Sequence, residues 1–264
     1  MTSKYSATRL QGQVAIITAA TKGIGLAIAE RLGHEGASIV ISSRDQKNVD
    51  ETLNQLTKSG LKPEKVSGVI CHVGNPEHRQ KLVDFAIQKY GKIDILVNNA
   101  GINPGFGDIL DVSESVWDKL FDVNVKAGFL LTKLVVPHMI KNGGGNVIFN
   151  ASYGGYRPPT GIAAYGVTKT TLLGLTKALA ESLATKNIRV NCIAPGVIKT
   201  KFSKALWDHG PEGEQTIVEE TGNPMKRLGE PEECAGAVAF LVSNDASYIT
   251  GETIVIAGGI HARL

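Results

Sequence analysis

The chain has 264 residues, with 28 Lys and Arg against 25 Asp and Glu, for a formal net charge of +3. That balance is too small and too scattered to suit a nucleic-acid partner or an anionic membrane surface. Hydrophobic residues at 42% and charged residues at 20% exclude a disordered chain. Cys71, Cys192 and Cys234 are far apart, and no CxxC or HExxH occurs, so neither a disulfide framework nor a metal site is expected. The polar start MTSKYSATRLQGQ lacks an apolar signal core, and no run reaches the roughly 18 apolar residues of a membrane span. The reading is an intracellular soluble protein with a single domain over residues 1–264.

Short β-branched runs alternate with helical patterns in chain order. Val14 to Thr18 predicts a strand, followed by a glycine turn and a helix over Ile24 to His34. Ala37 to Ile41 predicts the second strand, and Asp45 then caps a helix that stops near Gly60. Val66 to Ile70 is the third strand, and Asn75-Pro76 opens a helix ending at Tyr90-Gly91. Ile93 to Val97 is the fourth, with one long helix from Ser113 to Ile140 after it. Asn146 to Asn150 is the fifth, followed by a helix over Ile162 to Ala184; Ile188 to Ile193 and Thr253 to Ile256 complete seven strands. Nearly continuous apolar strands imply a parallel sheet covered by helices on both faces. Lys201 to Pro224, rich in Gly and Glu with weak periodicity, reads as a lid-like insertion.

Thr18 to Gly25 (TAATKGIG) lies in the first strand-to-helix crevice, where open α/β sheets bind ligands. Gly23 and Gly25 let backbone approach a pyrophosphate at the helix N-terminus, with Thr18, Lys22 and Ile24 beside them. Two glycines alone would equally suit an ordinary tight turn. The second strand ends in Ser43-Arg44, with no carboxylate until Asp45. A guanidinium and a hydroxyl suit the 2′-phosphate of NADP better than the free ribose of NAD, although Arg44 and Lys22 could also be solvated surface charges.

Tyr165 and Lys169 stand four apart, on one helix face. An ammonium there favours phenolate and should lower the phenol pKa so that Tyr165 exchanges a proton near neutrality. Of six tyrosines only Tyr165 has this partner, and Ser152 precedes it by 13 residues at a strand end. Its hydroxyl could hold a carbonyl oxygen beside the phenol. Tyr153 and Tyr156 lack a lysine partner and read as pocket walls. The histidines His34, His72, His78, His138 and His209 show no ligand spacing, and Cys192 reads as core.

The glycine turn, Asn98-Asn99-Ala100-Gly101, Asn124, Ser152, Tyr165, Lys169 and Pro195-Gly196, in that order, resemble the short-chain dehydrogenase/reductase family. The likeness runs over essentially the whole chain. It implies a single-domain Rossmann fold with a seven-stranded parallel sheet in the order 3-2-1-4-5-6-7. It also implies that Tyr165 is the general acid/base, that Ser152 orients the substrate oxygen, and that Lys169 binds the nicotinamide ribose. Asn124 would support a water-linked proton relay to Lys169, unless it only kinks its helix. Asn99, Ala100 and Gly101 would line the adenine-ribose side, and Pro195, Gly196, Ile198 and Thr200 the carboxamide and phosphate end. The chain departs from the pattern at Ala19, where a glycine is usual, at Cys71-His72-Val73, where an aspartate is usual, and at Ala151, where a second serine is common.

Within the family, Ser43-Arg44, Arg227 to Glu232 and Tyr248 to Thr253 are most similar to the peroxisomal NADPH-dependent carbonyl reductase/retinol dehydrogenase type. The resemblance therefore implies hydride transfer between NADP(H) and a ketone or aldehyde, retinal and retinol among the candidates, in a homotetramer. Phe202, Leu206 and Trp207 in the insertion suggest a bulky apolar or aromatic carbonyl. A 3-oxoacyl thioester reductase and a non-catalytic NADP-binding sensor are the alternatives. The closing Ala262-Arg263-Leu264 keeps the small-basic-leucine order of a peroxisomal address read by an import receptor, with cytoplasm as the alternative location.

Overall fold

The computed structural model describes residues 8–210 and 212–260; the tripeptide Ala262-Arg263-Leu264 lies outside them. Seven strands form one sheet: β1 (Val14–Ile17), β2 (Ser38–Ser43), β3 (Val66–Ile70), β4 (Ile95–Asn98), β5 (Gly145–Asn150), β6 (Ile188–Pro195) and β7 (Thr253–Ile256). All pair in parallel, in the order β3-β2-β1-β4-β5-β6-β7, as expected from the sequence. Helices α1 (Gly23–His34), α2 (Gln46–Lys58), α3 (Pro76–Tyr90), α4 (Glu114–Phe121), α5 (Ala127–Lys141) and α6 (Ala163–Leu183) pack about the sheet with α9 (Pro231–Val242), while α7 (Lys204–Trp207) and α8 (Gly213–Glu220) lie in the insertion.

Strand alternation divides the apolar residues between two cores. Ala15, Ile17, Ile39, Ile41, Ile95 and Val97 pack under Ile28 and Leu32 of α1, Leu56 of α2 and Val238 of α9. Ile16, Val40, Leu96, Val147 and Phe149 face Leu82 of α3, Leu131 and Val135 of α5 and Leu172 of α6. The caps are those read from the residues. Asp45 accepts from the Asn48 N–H at 3.0 Å and Asn75 from the His78 N–H at 3.1 Å, and Gly91 ends α3 at φ +80°.

Two elements differ from the sequence reading. The helix expected as one piece from Ser113 to Ile140 is interrupted between α4 and α5 by a π turn over Asp122–Lys126. The widened i→i+5 spacing lets one residue leave the helical register, which is the usual purpose of such a turn. By length and composition Glu114–Lys141 could cross a membrane, yet its Leu120, Val123, Leu131, Val135 and Met139 are buried in the protein. Helix α9 has no counterpart in the reading. Pro231 begins it, and Glu233 accepts from the Glu230 N–H at 2.8 Å, a start signal legible in Glu230-Pro231-Glu232-Glu233.

Candidate active site

The site is built where the carboxyl ends of β1, β4, β5 and β6 come together. Beyond β1 the chain turns tightly, with Ala19 in the left-handed region at φ +50°. A methyl there costs about 1–2 kcal/mol, which explains why a glycine would be easier. Gly23 is also left-handed, at φ +55°, and a Cβ on it would lie 2.9 Å from Thr200 Cγ2. A Cβ on Gly25 would lie 2.4 Å from Asn99 Nδ2 and 2.7 Å from the Ala19 carbonyl. No side chain caps α1, and its first turn holds no acid, so its N–H groups and positive dipole end are left for an anion.

Thr18 is placed differently from the expected nucleotide contact. It is 1% exposed, and its hydroxyl accepts from the N–H groups of Asn99 and Ala100, both at 3.0 Å. Its work is to lock the Asn98–Gly101 turn onto the end of β1. Ala100 likewise lies away from the cleft, whereas Asn99 and Gly101 line it.

Asn124 occupies the π turn and is buried. Its Oδ1 accepts from the Ile102 N–H at 2.8 Å, while its Nδ2 donates to the Ile102 carbonyl and the Thr168 hydroxyl, both at 3.0 Å. The amide therefore ties the segment following Gly101 to α6 and makes no hydrogen bond with Lys169.

Ser152 follows β5 in extended backbone, and its hydroxyl accepts from the Gly154 N–H at 3.1 Å. One turn apart on α6, Tyr165 and Lys169 place the ammonium 5.4 Å from the ring centroid. Phe202 covers the same ring at 6.0 Å between centroids. Lys169 is 3% exposed and donates to the Asn150 carbonyl at 2.7 Å. Burial pulls its pKa down to about 8. The tyrosine corrects the expectation: burial pushes its pKa up, opposed only by a hydrogen bond with Ser152. The Tyr165 ring is half-buried on the cleft wall, and Lys169 donates to a carbonyl oxygen instead of the phenol, so desolvation dominates.

Ser152, Tyr165 and Lys169 share one cleft of about 1340 Å³ with Lys22, Gly23, Ile24, Gly25, Asn99, Gly101, Pro195, Gly196, Ile198 and Thr200. Ligand pockets commonly hold about 300–1,000 Å³, so a dinucleotide and a second reactant both fit. The donors suit a nicotinamide dinucleotide: free helix N–H groups at a glycine-walled end, and an ammonium and a phenol at the other. Ser43 and Arg44 stand outside this cleft, at the end of β2. The Thr21 hydroxyl reaches Ser43 Oγ at 3.4 Å, which joins that corner to the glycine turn. Arg44 is exposed and makes no hydrogen bond or ion pair among the described residues, and Asp45 is committed to capping α2.

No sequence signal marks Phe106 and Arg157 as wall residues of the cleft, because long-range folding brings them there. Asn150 also lines it, and its only legible signal was a polar residue closing the apolar run of β5. The insertion contributes Phe202, Leu206 and Ile217, and a Lys199–Glu214 ion pair at 2.8 Å fastens it to the chain following β6.

Comparison with known proteins agrees with this arrangement. Residues 18–261 match the family described as enoyl-(acyl carrier protein) reductase. The chain is 64% identical over 256 residues to "Dehydrogenase/reductase SDR family member 4" of Caenorhabditis elegans, covering 97% of this chain and 98% of that one. The protein of the same name from Homo sapiens is 54% identical over 255 residues, covering 97% and 90%. Among solved structures it is similar to a 7 alpha-hydroxysteroid dehydrogenase complexed with NADH and 7-oxo glycochenodeoxycholic acid. That match has a TM-score of 0.89 and 34% identity, and covers 98% and 99% of the two chains. A 3-ketoacyl-(acyl-carrier-protein) reductase from Brucella melitensis complexed with NADH gives a TM-score of 0.87 at 32% identity, covering 95% and 98%.

Proposed function

This chain belongs to the short-chain dehydrogenase/reductase family of nicotinamide-dependent oxidoreductases, and from that premise we propose that it reduces a ketone or aldehyde with NADPH as the preferred cofactor. The observation that carries the reading is the convergence of Ser152, Tyr165 and Lys169 on one cleft with the glycine turn. When bound, the nicotinamide supplies the hydride. Ser152 orients the carbonyl oxygen, and Tyr165 gives that oxygen its proton. Burial keeps the free phenol of Tyr165 protonated, and the Lys169 ammonium, 5.4 Å from the ring centroid, is placed to offset part of the cost of the phenolate left behind.

The preference for NADPH rests on Arg44, with Ser43 and Lys22, around the place of the 2′-phosphate. A charge-assisted bond to phosphate has no counterpart in NADH. Both solved neighbours were complexed with NADH, so the preference for NADPH is carried by the Arg44 corner alone. Phe202 and Leu206 suit a bulky apolar or aromatic carbonyl, retinal-like compounds included. The Brucella neighbour favours a 3-oxoacyl thioester as the second reading. The proposed assembly is a homotetramer, and the proposed location is the peroxisome through Ala262, Arg263 and Leu264.

The test is NADPH oxidation with a panel of aromatic ketones, retinal-like aldehydes and 3-oxoacyl thioesters. Tyr165→Phe should keep NADPH binding and lose on the order of 10²–10⁴-fold in turnover. Near-normal reduction by that variant, or no reduction of any member by the wild type, refutes the reading.

A further inference from the structure

Asn150, the last residue of β5, is 8% exposed and connects two parts of the cleft. Its carbonyl accepts from Lys169 Nζ at 2.7 Å, and its side-chain Nδ2 donates to Asn99 Oδ1 at 2.8 Å. Chemistry fixes the orientation of both amides. Asn99 Nδ2 donates to the carbonyl oxygens of Thr18 at 3.0 Å and Ala19 at 3.2 Å, and neither of those can donate in return. Asn99 must therefore turn its oxygen toward Asn150, which must answer with its nitrogen. Asn150 Oδ1 is then left buried with no donor. A buried acceptor without a partner destabilises a fold, and valine would fill nearly the same volume without one. Packing does not account for the amide.

We propose that Asn150 is a positioning residue for the nucleotide. Through Asn99 it holds the Thr18 and Ala19 carbonyls, and so sets the glycine turn at a fixed distance from Lys169. The Lys169 contact uses the main chain, so it survives a change of side chain. The side chain accordingly serves cofactor affinity and leaves proton transfer alone. This inference rests on the nicotinamide-cofactor reading above.

The test compares wild type, Asn150→Val, Asn99→Ala and the double variant. NADPH dissociation constants come from the fluorescence of the reduced nicotinamide, and melting temperatures are taken without cofactor. Asn150→Val should raise the dissociation constant about three- to tenfold, from the loss of one part-buried hydrogen bond. Its cofactor-free melting temperature should not fall, and kcat at saturating NADPH should stay within about twofold. The double variant should lose no more affinity than Asn99→Ala, because both residues act through one contact. An unchanged dissociation constant, strictly additive losses, or a fall in kcat together with melting temperature would each overturn the inference. A wild-type chain that binds neither NADPH nor NADH would overturn the cofactor reading beneath it.

Discussion

Lys169→Met separates what the buried ammonium does for function from what it does to stability. The side chain is 3% exposed, and its single hydrogen bond goes to the Asn150 carbonyl. A pKa drawn from 10.5 down to about 8 by burial means that the folded protein holds the charged form about 3 kcal/mol less favourably than the unfolded chain does. Because the folded-state value is the lower one, the unfolded chain binds the proton more tightly through this range. The penalty is therefore complete below about pH 8 and fades as pH rises toward 10.5. Methionine keeps the length and the packing but leaves the Asn150 carbonyl without its donor, at a cost of about 1–2 kcal/mol. The cofactor-free variant should thus be about 1–2 kcal/mol more stable than wild type near pH 7, and this advantage should shrink by about 2 kcal/mol near pH 9.5. Urea unfolding of both proteins at the two pH values measures it, while NADPH affinity and turnover fall. A variant less stable than wild type at pH 7, or a difference that ignores pH, would refute the reasoning.

Arg44→Ala should weaken NADPH binding by about 1.5–3 kcal/mol and leave NADH unchanged; titration with both cofactors checks this, and equal weakening would make Arg44 structural. Gly25→Ala places a methyl 2.4 Å from Asn99 Nδ2, so stability should fall by about 1–3 kcal/mol and the nucleotide dissociation constant should rise, by unfolding and fluorescence titration respectively. An N-terminal fluorescent fusion should collect in peroxisomes and turn diffuse when Ala262, Arg263 and Leu264 are removed; diffuse signal from both would cancel the address and leave the chemistry standing.

The sequence by itself determined the seven strands, the parallel sheet and the co-location of Tyr165 with Lys169. Each depends on periodicity or on residues within one helical turn, where local geometry leaves little freedom. It also marked the caps at Asp45 and Asn75, because a capping side chain reaches only its own first turn. Tertiary structure alone decided the rest. Thr18 and Ala100 lie outside the lining of the main cleft because β4 lies beside β1, which turns the threonine hydroxyl to the Asn99 and Ala100 N–H groups. The π turn at Asn124 serves Ile102 and Thr168, partners 22 and 44 residues away that no local pattern encodes. The direction of the Tyr165 pKa followed the same logic. Spacing revealed the ammonium, but burial belongs to the assembled protein, and desolvation of the phenolate outweighed a lysine that the fold had turned toward the Asn150 carbonyl.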